Sequence, residues 1–202
     1  MTQPVYIAFE GPEACGKSTQ AHRLAESIGA VLTRETGGTD IGAQLRSILH
    51  NVDTIGLDDH AETLIVAADR AQHLAEVVRP ALERGEHVVS DRSVYSSLAY
   101  QGYGRGLPVD DVRRINEWGI GSTWPDLVIL LKTDDVTLQR RMKERDLDRI
   151  EQAGSDFHRR VREGFADMAA ADPNRWYVVD ASTPADETAA TIRRVVSERL
   201  GI

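Results

Sequence analysis

One stretch limits what this chain can fold into more than any other: Gly11-Pro12-Glu13-Ala14-Cys15-Gly16-Lys17-Ser18-Thr19. It fits G-x-x-x-x-G-K-[ST]. An apolar run, residues 5–9, precedes it, and a segment of helical character ending at Ile28 follows. A strand, a tight glycine-bearing loop and a helix in that order form a phosphate cradle. The loop turns backbone N–H groups inward, and the helix presents its positive dipole end to the same point. Lys17 adds a movable positive charge for outer phosphates, and Ser18 offers a hydroxyl to Mg²⁺. The spacing therefore predicts a nucleoside triphosphate site built into a strand–helix unit.

The rest of the chain repeats that alternation. Apolar runs at residues 31–33, 87–90, 127–131 and 176–179 read as further strands. Segments of helical period at 18–28, 59–84, 110–121, 135–144, 157–171 and 185–200 lie between and after them. Alternating strands and helices predict a parallel sheet covered on both faces, with ligands at its carboxyl edge. Glu10, Arg34, Asp91 and Asp180 fall at that edge. At 202 residues, with no internal repeat or linker tract, the chain suits one α/β domain spanning 1–202. The segment 59–84 fits either a dimer face or a core helix.

A net charge of −8 argues against broad nucleic-acid binding, so an anionic substrate must be held by local arginines. One cysteine excludes an intramolecular disulfide framework and suits a reducing compartment. No apolar stretch has the length of a membrane span, and no basic segment precedes a signal-like core. A cytoplasmic location without membrane contact is the expectation.

Several constellations add chemistry to the loop. Asp91 ends an apolar run, where an acid beside a phosphate loop orients Mg²⁺; the alternative is a cap on a helix over 93–100. Arg34 and Arg92 sit at predicted strand ends, and Arg70 sits within the long helix. Taken singly, each is more often a surface ion pair. The two at strand ends, beside the loop, suggest a second phosphate site, which a kinase acting on a phosphorylated acceptor needs. Residues 140–162 hold seven arginines with acids between them: Arg140, Arg141, Arg145, Arg149, Arg159, Arg160 and Arg162. They read as a salt-bridged helical pair or as a lid that closes over a triphosphate, with a break at Gly154-Ser155. Ser96, Ser97 and Gln101 lie among Tyr95, Tyr100 and Tyr103 and offer polar groups for a base edge. Gly102, Gly104 and Gly106 predict a turn-rich loop after them.

With these motifs in order, the chain resembles the thymidylate kinase family over nearly its whole length. The resemblance rests on Phe9-Glu10-Gly11, on Thr33-Arg34-Glu35-Thr36-Gly37-Gly38-Thr39 and on Ala67-Ala68-Asp69-Arg70-Ala71-Gln72-His73. It continues through Asp91-Arg92, Ser96-Ser97-Leu98-Ala99-Tyr100-Gln101-Gly102, Asp148-Arg149-Ile150-Glu151 and Val179-Asp180-Ala181. It implies a P-loop NTPase-type, three-layer α/β fold: a five-stranded parallel sheet flanked by helices, with a short lid at about 141–155. It also implies transfer of the ATP γ-phosphate to dTMP with Mg²⁺, in a homodimer. By resemblance, Arg34 and Arg92 would hold the dTMP phosphate. Arg70, Ser97 and Gln101 would bond the thymine, Tyr100 would pack under the sugar, and Glu13 would meet the 3′-hydroxyl. Ser18 and Asp91 would serve the metal, and the stretch ending at Ala181 would line the adenine side. Some family members carry a catalytic arginine in the phosphate loop and others in the lid. Ala14 occupies the loop position here, so Arg141, Arg145 and Arg149 are the candidates, with Arg149 alternatively an ion-pair partner of Asp148 or Glu151.

The chain departs from the family pattern at several points. Val66 stands where a thymine-stacking Phe is usual, Thr36 replaces a Pro, Ser93 replaces Tyr or His, and Lys132 replaces a frequent Asp. Val66 leaves another acceptor, such as dUMP, open. Cys15, near a helix N-terminus, reads as a reactive thiol or a space-filler. A regulatory nucleotide binder is a further alternative, although Lys17, Ser18, Asp91 and Arg92 are all present. Asp53-Thr54-Ile55-Gly56 matches a GTPase D-x-x-G pattern, but it follows no apolar run and no Asn-Lys-x-Asp guanine reader occurs in the chain.

Overall fold

Strands buried on both faces need cover on both sides, and that requirement sets the layers here. In the computed structural model, which describes residues 3–134, 137–138, 140 and 147–202, every residue of β1 (Tyr6–Glu10) is buried. So are all but the last of β4 (Leu127–Lys132). With β2 (Val31–Arg34), β3 (Val88–Asp91) and β5 (Trp176–Asp180) they form one sheet of order β2-β3-β1-β4-β5, paired in parallel throughout. The alternation of side chains along each strand feeds two cores. Tyr6, Val88, Val128 and Trp176 join Leu98, Phe157 and Phe165 on one face. Ile7, Phe9, Val89 and Ile129 join Leu24, Ile192 and Val196 on the other. The second face is closed by α1 (Lys17–Ile28), which packs against the last helix of the chain, Ala185–Leu200.

The remaining helices show where sequence periodicity falls short. The helix α2 (Asp40–His50) buries only Gly42 and Leu49, so it carries little core signal in its sequence. Its start is fixed by Thr39, whose hydroxyl accepts from Gly42 N at 2.9 Å. The segment expected as one helix over 59–84 is α3 (Asp59–His73), a π-helical turn (Leu74–Val78) and α4 (Arg79–Glu83). Pro80 has no N–H for the ordinary ladder and its ring crowds the preceding turn. The wider turn, in which Arg79 N reaches Leu74 O, relieves that crowding.

A second π-helical run, Leu98–Gly104, follows α5 (Val94–Ser97) and replaces the turn-rich loop expected around Gly102 and Gly104. It is clamped between α6 (Val109–Ile120) and α7 (Ser155–Ala171), and α8 (Ala185–Leu200) completes the set. Small residues permit the clamp: a Cβ on Gly104 would lie 2.6 Å from the Phe157 ring, and one on Gly164 2.5 Å from Tyr103 Cγ. Arg160 on α7 then donates to Gly104 O at 2.6 Å and to Tyr103 O at 3.2 Å, satisfying carbonyls that the wide turn leaves open. The helix expected at 135–144 falls largely on residues 135, 136, 139 and 141–146, outside the described residues, as do Arg141 and Arg145.

Candidate active site

The phosphate loop closes on itself between β1 and α1. Gly11 has φ +140° and a Cβ there would sit 2.6 Å from Leu131 O; Gly16 has φ +99°. These two positions exclude side chains for steric and conformational reasons, respectively. Ala14 also takes a left-handed φ of +58°. Lys17 is buried, and its ammonium donates to Pro12 O at 2.6 Å, folded back over the cradle. Cys15 is 1% exposed beneath the loop, with Sγ 3.7 Å from Lys17 Nζ. That burial favours the space-filling reading of the thiol. Ala181, just past β5, lines a cavity of about 390 Å³ together with the loop, Thr183 and Thr188.

Next to the loop, Ser18 Oγ donates to Asp91 Oδ2 at 2.5 Å. The helix after β3 is capped by Ser93 instead, whose hydroxyl accepts from Tyr95 N, so Asp91 is not spent as the cap. Its second oxygen, Oδ1, is buried with no hydrogen-bond partner among the described residues. A hydroxyl and a carboxylate with one orphaned buried oxygen fit a hard divalent cation that takes its other ligands from water and phosphate. No cluster of three or more His, Cys, Asp or Glu with metal-site geometry occurs among the described residues.

A second cavity, of about 230 Å³, opens on the other side of Lys17 and Ser18 and brings together Glu13, Arg34, Val66, Arg70, Asp91, Arg92, Ser97, Tyr100 and Gln101. All of these were expected from the sequence to serve the acceptor, the metal or the transfer. Arg92 sits at its centre with a left-handed φ of +76°. Its guanidinium donates to Glu13 Oε1 (2.7 Å), Tyr100 OH (3.1 Å) and Ser96 Oγ (3.1 Å), and lies 4.9 Å from the Tyr100 ring centroid. Tyr100 donates its own hydroxyl to Glu13 Oε1 at 2.6 Å. Burial opposes the charge of Arg92, but facing Tyr100, Glu13 and Asp91 outweigh it and raise its pKa well above the ordinary value. Burial likewise opposes ionisation of Glu13, and Arg92 and Lys17 overcome it, so that carboxyl titrates below its usual range.

Arg34 is exposed at the end of β2, in register with Asp91 of β3. Beside it stands Arg46 of α2, which sequence reasoning missed. It donates to Thr36 O at 3.2 Å and lines the same cavity. Burial first, and then the nearby charges of Arg34 and Arg92, push its pKa down. Three guanidinium groups line this one cavity, an arrangement that can hold an anion. The only sequence signal for Arg46 was its place on an exposed helix, which marks any surface arginine equally well.

Deeper in the cavity, Arg70 is 1% exposed. Its Nε donates to Glu35 Oε2 at 2.7 Å, and its other nitrogens to Ser97 Oγ (2.7 Å), Ser93 O (2.9 Å) and Asn116 Oδ1. His73 donates Nδ1–H to Glu35 Oε1 at 2.9 Å and meets Thr33 Oγ1 at 2.6 Å through Nε2. Burial raises the cost of charge on Glu35, but Arg70 and His73 more than offset it and its pKa is lowered. Glu35, His73 and Asn116 were not expected as site residues; only their partners reveal them. Val66 is buried on the cavity wall near Leu49 and Ile150, an aliphatic surface without a ring face.

The described part of the lid region, from residue 147 onward, docks on α2 and α3. Asp148 Oδ2 accepts from His50 Nδ1 at 2.6 Å, and its other oxygen accepts from Ile150 N and Glu151 N. Against the cost of burial, those bonds hold the Asp148 carboxyl down to about 2. Arg149 donates to Leu49 O at 2.8 Å and to Glu62 Oε2 at 2.6 Å. Its ion-pair partner is therefore Glu62, neither Asp148 nor Glu151.

With this geometry in view, the comparisons are concordant. The thymidylate kinase family profile matches residues 9–192. A thymidylate kinase of Deinococcus radiodurans is 45% identical over 205 residues, covering 98% of this chain and 99% of its own. One from Leifsonia xyli is 47% identical over 197 residues, covering 94% and 92%. The crystal structure of thymidylate kinase from Ehrlichia chaffeensis superposes with a TM-score of 0.80 at 30% identity, covering 96% of this chain and 98% of that one.

Proposed function

The chain belongs to the thymidylate kinase family, and we propose that it carries out that family's reaction as a single domain, moving the γ-phosphate of ATP onto dTMP to give dTDP and ADP. The observation that carries this reading is the pairing of two anion sites across Lys17 and Ser18. The phosphate loop lies on one side, and Arg34, Arg46 and Arg92 share a cavity with a base-sized polar recess on the other. A hydrolase or a GTP switch has no use for the second site.

The acceptor phosphate oxygen is already a good nucleophile, so the chemistry asks for alignment and charge neutralisation in preference to a strong base. ATP lies with its phosphates in the Gly11–Thr19 cradle and its adenine toward Ala181. Arg34, Arg46 and Arg92 hold the dTMP phosphate, with Glu13 and Tyr100 facing the sugar and Arg70, Ser97 and Gln101 facing the thymine. Lys17 leaves Pro12 O to meet the transferred phosphate. Ser18 and Asp91 would hold Mg²⁺, which would neutralise phosphate charge. Arg141 and Arg145 remain candidates for closing charge from the lid. Arg149 starts from its pairing with Glu62 and would have to leave it to do so.

The assembly is a homodimer formed along the α3–α6 seam. There Gly119 lies against Ala67 and Ala71, and the flanking Leu64 and Trp118 are 55% and 92% exposed. No described helix is long and apolar enough to cross a membrane, and the reaction belongs with cytoplasmic nucleotide metabolism.

Coupled ADP release measured over a panel of nucleoside monophosphates tests the substrate. The highest kcat/KM should fall on dTMP; a better acceptor elsewhere in the panel sinks the reading. Lys17→Ala should lower turnover by about three orders of magnitude with an unchanged melting profile.

A further inference from the structure

Glu62 is a carboxylate with no exposed surface, and phosphoryl transfer as laid out above makes no use of it. It lies on α3 and takes four hydrogen bonds. Gln101 Nε2 (3.0 Å) and Arg105 Nε (3.1 Å) donate to Oε1; Arg105 Nη2 (2.9 Å) and Arg149 Nη2 (2.6 Å) donate to Oε2. The cost of burying the charge is outweighed by these donors, and its pKa is lowered. An ionised carboxylate can only accept. The two ends of a glutamine amide differ little in shape, and an environment decides which way the amide points. Here the decision is forced: the Gln101 NH₂ must face Glu62.

Gln101 is itself 2% exposed and lines the acceptor cavity beside Arg70 and Ser97. One N–H of its NH₂ is committed to Glu62, which fixes the orientation of the amide and turns its carbonyl oxygen, with the second N–H beside it, away from Glu62. A carbonyl accepts from the N3–H of thymine or uracil. Cytosine N3 carries a lone pair and would meet it with repulsion. We propose that Glu62 is a positioning residue that sets acceptor-base selectivity by locking the Gln101 amide carbonyl toward the base, so that the site takes N3-protonated pyrimidines and rejects cytosine. This rests on the reading of the cavity as the dTMP site and names the residue behind its choice of base.

The test uses the full chain with saturating ATP and Mg²⁺, and compares kcat/KM for dTMP and dCMP in four proteins: the unaltered chain, Glu62→Gln, Gln101→Leu and the double variant. A glutamine at position 62 offers either amide end, which frees Gln101 to turn. Glu62→Gln should lower the dTMP:dCMP ratio about tenfold or more, through a higher KM for dTMP and a lower KM for dCMP. In the Gln101→Leu background the same substitution should shift the ratio by less than about twofold. A merely structural Glu62 would impair both substrates alike. A folded Glu62→Gln protein whose ratio stays within about twofold of the parent overturns the proposal, as does an equal shift in both backgrounds. If Glu62→Gln does not fold, the unaltered protein decides. The 5′-monophosphate of N3-methylthymidine should bind about tenfold or more weaker than dTMP, and equal binding overturns the proposal. Failure of the unaltered protein to phosphorylate dTMP would sink the parent reading, a different outcome from an unchanged ratio.

Discussion

Asp148 illustrates how single groups carry this site. Its carboxyl is held down to about 2 by His50 and two backbone N–H groups, against an ordinary value of 3.8. A lowered folded-state pKa contributes stability above the unfolded value and loses it as pH falls through the folded one. The contribution is therefore complete above about pH 4 and fades toward pH 2. Its side chain is 27% exposed, so the magnitude is on the order of 1–2 kcal/mol. Urea unfolding of Asp148→Asn should show a deficit of that size near pH 6 that shrinks steadily below pH 4; a deficit constant with pH would disprove the linkage. At this scale the sequence was most legible where residue types are chemically singular. Lys17, Ser18, Asp91 and Arg92 stand together as their spacing implied. Arg46 and Glu62 were illegible, because an Arg or Glu on a helix looks the same whether it faces water or a buried partner.

The elements carry a different lesson. Gly104 ends the π-helical run that presents Tyr100 and Gln101, and the Phe157 ring fills the space a Cβ would need. Gly104→Ala should cost about 2 kcal/mol of stability by overpacking. Because the strain falls on the run that carries Tyr100 and Gln101, it should also raise the KM for dTMP more than it lowers kcat. Thermal unfolding and steady-state kinetics check both halves, and an unchanged KM would show that the run absorbs the methyl group elsewhere. The central strands β1, β3 and β4 were readable from their continuous apolar runs, since strands buried on both faces need apolar residues throughout. The two π-helical turns were not readable. A wide turn shares the periodicity of its neighbours, and only the fit of Pro80 into its helix, or of Tyr103 and Gly104 against α7, selects it.

The whole molecule adds the question of assembly. Trp118 is 92% exposed beside the α3–α6 seam, and a large apolar ring in water marks a surface waiting for cover. Light scattering should give twice the chain mass for the unaltered protein and the single mass for Trp118→Glu; a monomer in both cases would refute the dimer. The sequence by itself determined the sheet, the phosphate cradle and the strand-end pair Arg34 and Arg92. Each is encoded locally, in the polarity of a short run or the spacing of a loop. The tertiary structure alone decided which arginines gather at one cavity, which way Gln101 points and what Arg149 grips, because those depend on side chains brought from distant segments into one low-dielectric space where every donor must find its acceptor.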